Sequence, residues 1–362
     1  MAGGIQRSLL KRRLVIVTGK GGTGKTTVAA ALALAGADAG RRVVLIELGR
    51  DEHLHELLTP GSSPVGGRDG REVLPGLTLI HIEPFDALAE YLQLKIGIRS
   101  LVDMGVKNRA FHQLLAGAPG WRELVILGKI WYLEQLKAPD GKPLYDLIVV
   151  DAPSSGHGLT LLDVPRITQS AIKSGPLRRN AMNVEKLIQD ETRTLLLPVS
   201  LAEELPARET HELVDRVRNA IRIPVDRVIV NNIVENPYPS GLEDLAERLD
   251  TIAESQAATG PASQAAPPQT AAPTSATPPT TAAGLPSAEV LAWCCRARRA
   301  RFELNDRYVS EIAQSVRVPV VTLPQLSRGI RNLDDLRELG ARMLEPKGEA
   351  PPLAAVSQEG EG

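Results

Sequence analysis

The stretch "VIVTGKGGTGKTTVAA", residues 15–30, decides the fold. It reads G-x-x-x-x-G-K-T from Gly19 to Thr26, with an additional lysine, Lys20, directly after the first glycine. Backbone N–H groups turn inward around a phosphate only where no Cβ stands in the way. Gly19, Gly21, Gly22 and Gly24 meet that requirement. Lys25 is placed to reach the β- and γ-phosphates of a nucleotide, and Thr26 to offer its hydroxyl to Mg²⁺. An apolar run, "LVIVTG", precedes the loop. A run of strong helix formers, "TVAAALALAGADAG", follows it and aims its N-terminal dipole at the phosphates. The strand–loop–helix context that this pattern needs is therefore present.

Working outward, six further apolar runs read as strands: 42–48, 77–83, 145–153, 194–200, 227–233 and 318–324. They are near-continuous rather than alternating, as strands buried on both faces of a parallel sheet are. Helical stretches separate nearly all of them, so crossover units follow, with helices on both faces. The expectation is an α/β, doubly wound, mostly parallel sheet in one domain over residues 12–345. Residues 85–140 form a helical elaboration on it. Residues 255–288 carry no charge and seven prolines, too little apolar surface to offset the entropy of ordering. This Ala/Pro/Thr-rich stretch and the tail 346–362 are expected to be disordered.

"YDLIVVDAPSSGHG" supplies an acid for the site. Asp151 ends an apolar run, and an acid there lies at the ligand edge of such a sheet. Its expected role is second-shell support of Mg²⁺; the plainer alternative is a capping aspartate before a turn. The small residues that follow read as a loop able to move.

Composition excludes several classes. Lys+Arg is 42 and Asp+Glu 43, so no global basic field favours nucleic acid. Aromatics at 3% argue against base stacking. Cys294 and Cys295 are adjacent and imply no disulfide framework. "MAGGIQRSLLKRR" lacks a signal-peptide apolar core, and no apolar run approaches the ~20 residues of a membrane helix. A cytoplasmic location is the expectation. His53, His55 and Glu56 do not read as a metal site, because residues two apart do not share a helix face.

These motifs together resemble the deviant phosphate-loop ATPases of the ParA/MinD and ArsA type. "GKGGTGKTT" is similar to their phosphate loop and "YDLIVVDAPSSGHGLTLLDVP" to the second switch of the ArsA family. That family comprises the anion-transporting and tail-anchored-protein-targeting ATPases. "VSLAEELPARET" resembles the family stretch V-T-x-x-E-x-L-x-x-x-E-T. "VIVNN" and "VVTLPQLSRGIRNLDDL" resemble the strands and loop that flank the purine. The resemblance implies ATP and Mg²⁺ as ligands and ATP hydrolysis, which Gly49, a departure from the family pattern, is expected to slow. It implies nucleotide contacts from Gly21, Gly22, Thr23, Gly24, Lys25, Thr26, Thr27, Asn231 and Pro324, with Asn231 reading adenine. It also implies an ATP-dependent homodimer in which Lys20 reaches the partner's nucleotide. A contact within one subunit is the alternative for Lys20. The partner handled by such a switch, a protein client or a membrane protein, is left open.

Two departures from the family carry consequences. Targeting ATPases clamp zinc between subunits with Cys-x-x-Cys, and zinc needs four ligands. Here Cys295 fits the first position, but Arg298 occupies the second, so no structural zinc is expected. The strand after the first helix leads, in the family, to an aspartate that positions the attacking water. Here the switch reads "ELGRDEHL", and Gly49 falls at that place. Asp51 is the preferred replacement, together with Lys20 and Asp151 as the expected catalytic set; Glu47 is the alternative. Two other classes stay open: an ATP-dependent scaffold with negligible turnover, and a small-molecule phosphotransferase or ligase on the same fold.

Overall fold

The computed structural model describes residues 8–48, 53–61, 70–96, 120–236 and 287–344, with the isolated positions 113, 247–249, 251–252 and 254–255. Gly49, Asp51, residues 256–286, the tail from 345 and most of 97–119 lie outside the described residues.

After a short helix, α1 (Ser8–Lys11), the order is β1 (Leu14–Gly19), α2 (Lys25–Asp38), β2 (Val43–Leu48), α3 (His53–Leu58), β3 (Arg71–Leu74), β4 (Leu77–Ile82) and α4 (Pro84–Ile96). There follow α5 (Trp121–Gln135), β5 (Leu147–Ser154), α6 (Ser155–Ala171), α7 (Pro176–Gln189) and β6 (Thr194–Leu201). The chain then forms α8 (Glu204–Arg216), β7 (Val228–Ile233), α9 (Ala288–Val316), β8 (Val320–Pro324) and α10 (Leu333–Leu344). The eight strands lie in the order β3-β4-β2-β5-β1-β6-β7-β8. Every neighbouring pair is parallel except β3 with β4. This is the expected doubly wound α/β architecture.

Residue alternation in the central strand splits the core. Val15 and Val17 pack with the apolar face of α2 and with Leu336, Leu339 and Met343 of α10. Leu14 and Ile16 pack on the other face with Leu127, Ile130 and Leu133 of α5, Leu161 of α6 and Leu187 of α7. Successive side chains of a strand point to opposite faces, so one continuous apolar run serves both layers. From β1 the chain first builds the β2 side of the sheet and later crosses to β6. The reversal leaves a crevice at the C-terminal end of β1, where ligands of such sheets bind.

Three features differ from the sequence expectation. β3 pairs antiparallel with β4 as an edge hairpin turning through Gly76; its "REVL" is short and half polar, so periodicity gave no signal. Ser155 starts α6 directly after Ser154 ends β5, so the expected loop is the first turn of a helix. Gly158 permits this, because a Cβ there would stand 2.8 Å from Thr18 Oγ1. β5 also extends one residue beyond the apolar run. Among the described residues, no helix is long and apolar enough to cross a membrane.

α10 lies close on α2. A Cβ at Gly340 would stand 2.7 Å from the Ala31 carbonyl oxygen and 2.9 Å from Ala35 Cβ. Overpacking of this kind typically costs about 1–3 kcal/mol. Gly340→Val is therefore expected to lower the free energy of unfolding by that amount, read as a lower urea midpoint with the m-value unchanged. An unaltered midpoint would mean that α10 moves aside freely.

Candidate nucleotide site

The loop between β1 and α2 is fixed from three directions. A Cβ at Gly19 would overlap the Val199 carbonyl of β6, so the loop leaves the sheet in contact with the neighbouring strand. Gly24 has φ of 86° and directly precedes α2. A Cβ there would overlap the amide of Asn231. That amide, at the end of β7, donates to the Thr23 carbonyl at 3.0 Å. Thr23 is 1% exposed, and its hydroxyl donates to the Lys20 carbonyl at 3.0 Å. Gly19 and Gly24 thus stand where backbone and side chains of other strands leave no room for a Cβ, whereas Gly21 and Gly22 have open space around them.

Lys25 opens α2 and donates to the Lys20 carbonyl at 2.9 Å, spanning its own loop. Burial lowers its pKa, partly offset by the nearby Asp151 carboxylate. Thr26 donates its hydroxyl to Asp151 Oδ2 at 2.6 Å, joining the first turn of α2 to β5. The other carboxylate oxygen, Oδ1, is buried and has no hydrogen-bond partner among the described residues. Burial pushes the Asp151 carboxyl up to about 6, against the pull of the Thr26 hydroxyl and the Lys25 ammonium. Register places Asp151 level with Val17 of β1 and Glu47 of β2, and Glu47 adds to the upward push.

An orphaned, buried carboxylate oxygen beside a hydroxyl is a fit for a hard cation. Mg²⁺ prefers oxygen donors, keeps waters and leans on one or two protein groups plus phosphate. No group of three or more His, Cys, Asp or Glu capable of caging a metal occurs among the described residues. A site of one hydroxyl and one carboxylate suits a cation that arrives with its nucleotide.

The remaining sequence-predicted residues are distributed as follows. Gly21 and Gly22 are exposed at the loop's tip, and Thr27 is half-buried in the first turn of α2. Pro324 ends β8 in register with Ile233 of β7, two residues beyond Asn231. Glu47 is 4% exposed. Its Oε1 accepts the Leu54 N–H of α3 at 3.0 Å, and its Oε2 lies 3.7 Å from His81 Nδ1. Glu47 therefore anchors the first turn of α3, which uses the acid that the sequence left as an alternative water-positioning group. Asp51 lies outside the described residues. His55 is buried beside Thr59, while His53 is exposed. Cys294 is exposed and Cys295 half-buried on α9, with Arg298 exposed one turn on. A cavity of about 530 Å³ lies among α4, α5 and α7, and no phosphate-loop residue lines it.

Sequence reasoning missed Glu209. It was legible only as part of the stretch "VSLAEELPARET", with nothing to say what it meets. In the structure its carboxylate accepts from Lys20 Nζ at 2.7 Å.

A family model described as anion-transporting ATPase matches residues 12–181. The chain is 33% identical to the ATPase BagA of Mycobacterium tuberculosis, over 65% of this chain and 69% of that protein. The chain belongs to the ArsA-type ATPase family. The chain is also similar to two more distant ATPases. A putative arsenical pump-driving ATPase of Halobacterium salinarum is 25% identical over 66% of this chain and 40% of its own length. The ATPase GET3 of Podospora anserina is 29% identical over 46% of each chain. The protein is accordingly an ATP-binding ATPase.

The Asp151 carboxyl takes up a proton more readily in the folded chain than in the unfolded one. The contribution of this carboxyl to the stability of the ligand-free fold therefore rises as pH falls from above 6 towards 4, and is lost as the carboxyl ionises. Asp151→Asn removes the buried charge. Without nucleotide, the variant is expected to be more stable than wild type at pH 8 by about 1–3 kcal/mol, with the gap closing below pH 5. Denaturant titrations at the two pH values check this. A variant less stable at both would mean that the ionised carboxylate is held favourably.

Proposed function

We propose that this chain is a Mg²⁺-dependent, ATP-driven dimeric switch of the ArsA type, built in one domain over residues 12–345. The observation that carries the reading is the Thr26–Asp151 contact with its orphaned oxygen, at the mouth of a glycine loop that carries two lysines. Lys25 turns from the Lys20 carbonyl to the β- and γ-phosphates. The N–H groups of residues 21–27 surround those phosphates at the positive end of α2. Thr26 and Asp151 hold the magnesium ion, which supplies positive charge to the phosphate oxygens. Asn231 keeps the loop in place with its Nδ2 and leaves Oδ1 to accept from the adenine amino group, with Pro324 flanking the base. Lys20 reaches the partner's nucleotide and stabilises charge during transfer.

Hydrolysis is slow in this reading. Gly49 offers no group to orient water, and Glu47 is committed to α3. Asp51 is the remaining acid of the switch. Losing a positioned base typically costs ~10²–10⁴-fold. Turnover is expected on the order of one per minute or below. The switch works in the cytoplasm without nucleic acid or structural zinc. It couples ATP to a protein client or a membrane partner, as its resemblance to the targeting ATPases supports.

Two variants separate the lysines. Lys25→Ala is expected to lower ATP affinity at least about tenfold, since it removes a charge-assisted contact. Lys20→Ala is expected to bind ATP within about twofold of wild type while losing phosphate release. Fluorescent-nucleotide titration and phosphate release without an added acceptor measure both. Equal losses of affinity would contradict the cross-subunit role of Lys20. A strict need for an acceptor would favour the phosphotransferase class.

A further inference from the structure

The ion pair between Lys20 and Glu209 joins residues 189 apart in the chain. Lys20 stands in the phosphate loop. Glu209 stands on α8, which β6 delivers beside that loop. The ammonium and carboxylate meet at 2.7 Å, with side chains 30% and 31% exposed. The stretch that contains Glu209 is tied down on every side. Glu203, just before α8, pairs with Arg301 of α9 at 2.6 Å. Thr210 is buried; its hydroxyl donates to the Pro206 carbonyl at 2.7 Å and lies 2.9 Å from the Ser200 hydroxyl. Glu209 is thus presented to Lys20 from a rigid helix, whereas Lys20 sits on a flexible four-carbon stem.

We propose that Glu209 is a positioning residue that holds Lys20 on its own subunit until a nucleotide-loaded partner competes for it. This rests on the cross-subunit role of Lys20 proposed above. The ammonium group has two possible anionic partners, the Glu209 carboxylate in the free subunit and the phosphates of the partner in the dimer. A carboxylate of one negative charge yields to a triphosphate bearing several, but not to water. The pair therefore raises the ATP and protein concentrations at which two subunits close. A partly exposed pair is weak, typically 0.2–1 kcal/mol. Its effect on closure is accordingly a modest threshold rather than a block.

The test is sedimentation velocity of the full chain with ATP and Mg²⁺ over a range of protein concentrations. Wild type, Glu209→Gln, Glu209→Asp, Lys20→Ala and the Lys20→Ala/Glu209→Gln double variant are compared. Glu209→Gln keeps the size and a hydrogen-bonding group but removes the charge. It is expected to lower the dimerisation midpoint about two- to thirtyfold, since each dimer releases two such pairs, with Glu209→Asp between it and wild type. In the Lys20→Ala background the same change is expected to have no effect, a dependence that a merely structural role would not show. Three results would overturn the proposal: no shift in Glu209→Gln, a shift towards weaker dimers, or an equal shift without Lys20. A weaker dimer would mean that Glu209 aligns Lys20 for the partner instead of restraining it. If wild type itself shows no ATP-dependent association, the cross-subunit reading fails and takes the restraint with it. Association that persists in wild type but ignores Glu209 sinks the restraint alone.

Discussion

The 2.6 Å hydrogen bond from Thr26 to Asp151 is the contact on which the site depends. It closes the first turn of α2 onto the end of β5, two positions that the chain separates by 125 residues. Everything that shapes the loop acts around this contact. Gly19 brings the chain against Val199, Gly24 clears the Asn231 amide, and Asn231 ties the Thr23 carbonyl to β7. Three strands therefore hold one loop. The carboxylate is left with an oxygen that no group among the described residues satisfies. Burying such a group is costly unless it gains a partner or a proton, which is why its pKa rises. The site stores an electrostatic deficit that the proposed divalent cation would remove.

The same arrangement explains why so much of α8 and β6 is constrained. "VSLAEELPARET" reads in sequence as a family stretch without a stated job. In the structure Glu203 reaches α9, Thr210 returns to Ser200, and Glu209 meets Lys20. The first two ties make the helix a fixed platform. The third sets a charge from that platform against the lysine of the phosphate loop. The stretch links the nucleotide loop, through Glu209 and Glu203, to α9, which packs on β7.

The sequence made the central strands legible because their burial on both faces leaves unbroken apolar runs. β1 at 14–19 and β6 from 194 show this, and the expected ranges match within a residue or two. The edge hairpin was not legible, because "REVL" has a half-polar pattern and its pairing depends on β4 being present. The first turn of α6 was misread as a loop, because "SSGHG" has poor helix propensity and only packing against Thr18 rescues it. At the site, the glycines, Lys25, Thr26 and Asp151 were legible from loop chemistry and strand ends. Glu209 and the engagement of Glu47 with Leu54 were not. Both depend on which helix the fold brings alongside, and spacing carries no trace of that.

In the proposed site Asp151 is a buried carboxyl about half protonated at pH 6, and it would give up that proton on binding the cation with its nucleotide. Calorimetry of ADP binding, with Mg²⁺ in excess, tests it in two buffers of unlike ionisation enthalpy at pH 6 and pH 8. With its carboxyl pushed up to about 6, the protein is predicted to release about half a proton more per site at pH 6 than at pH 8. Equal proton release at the two pH values would contradict the account.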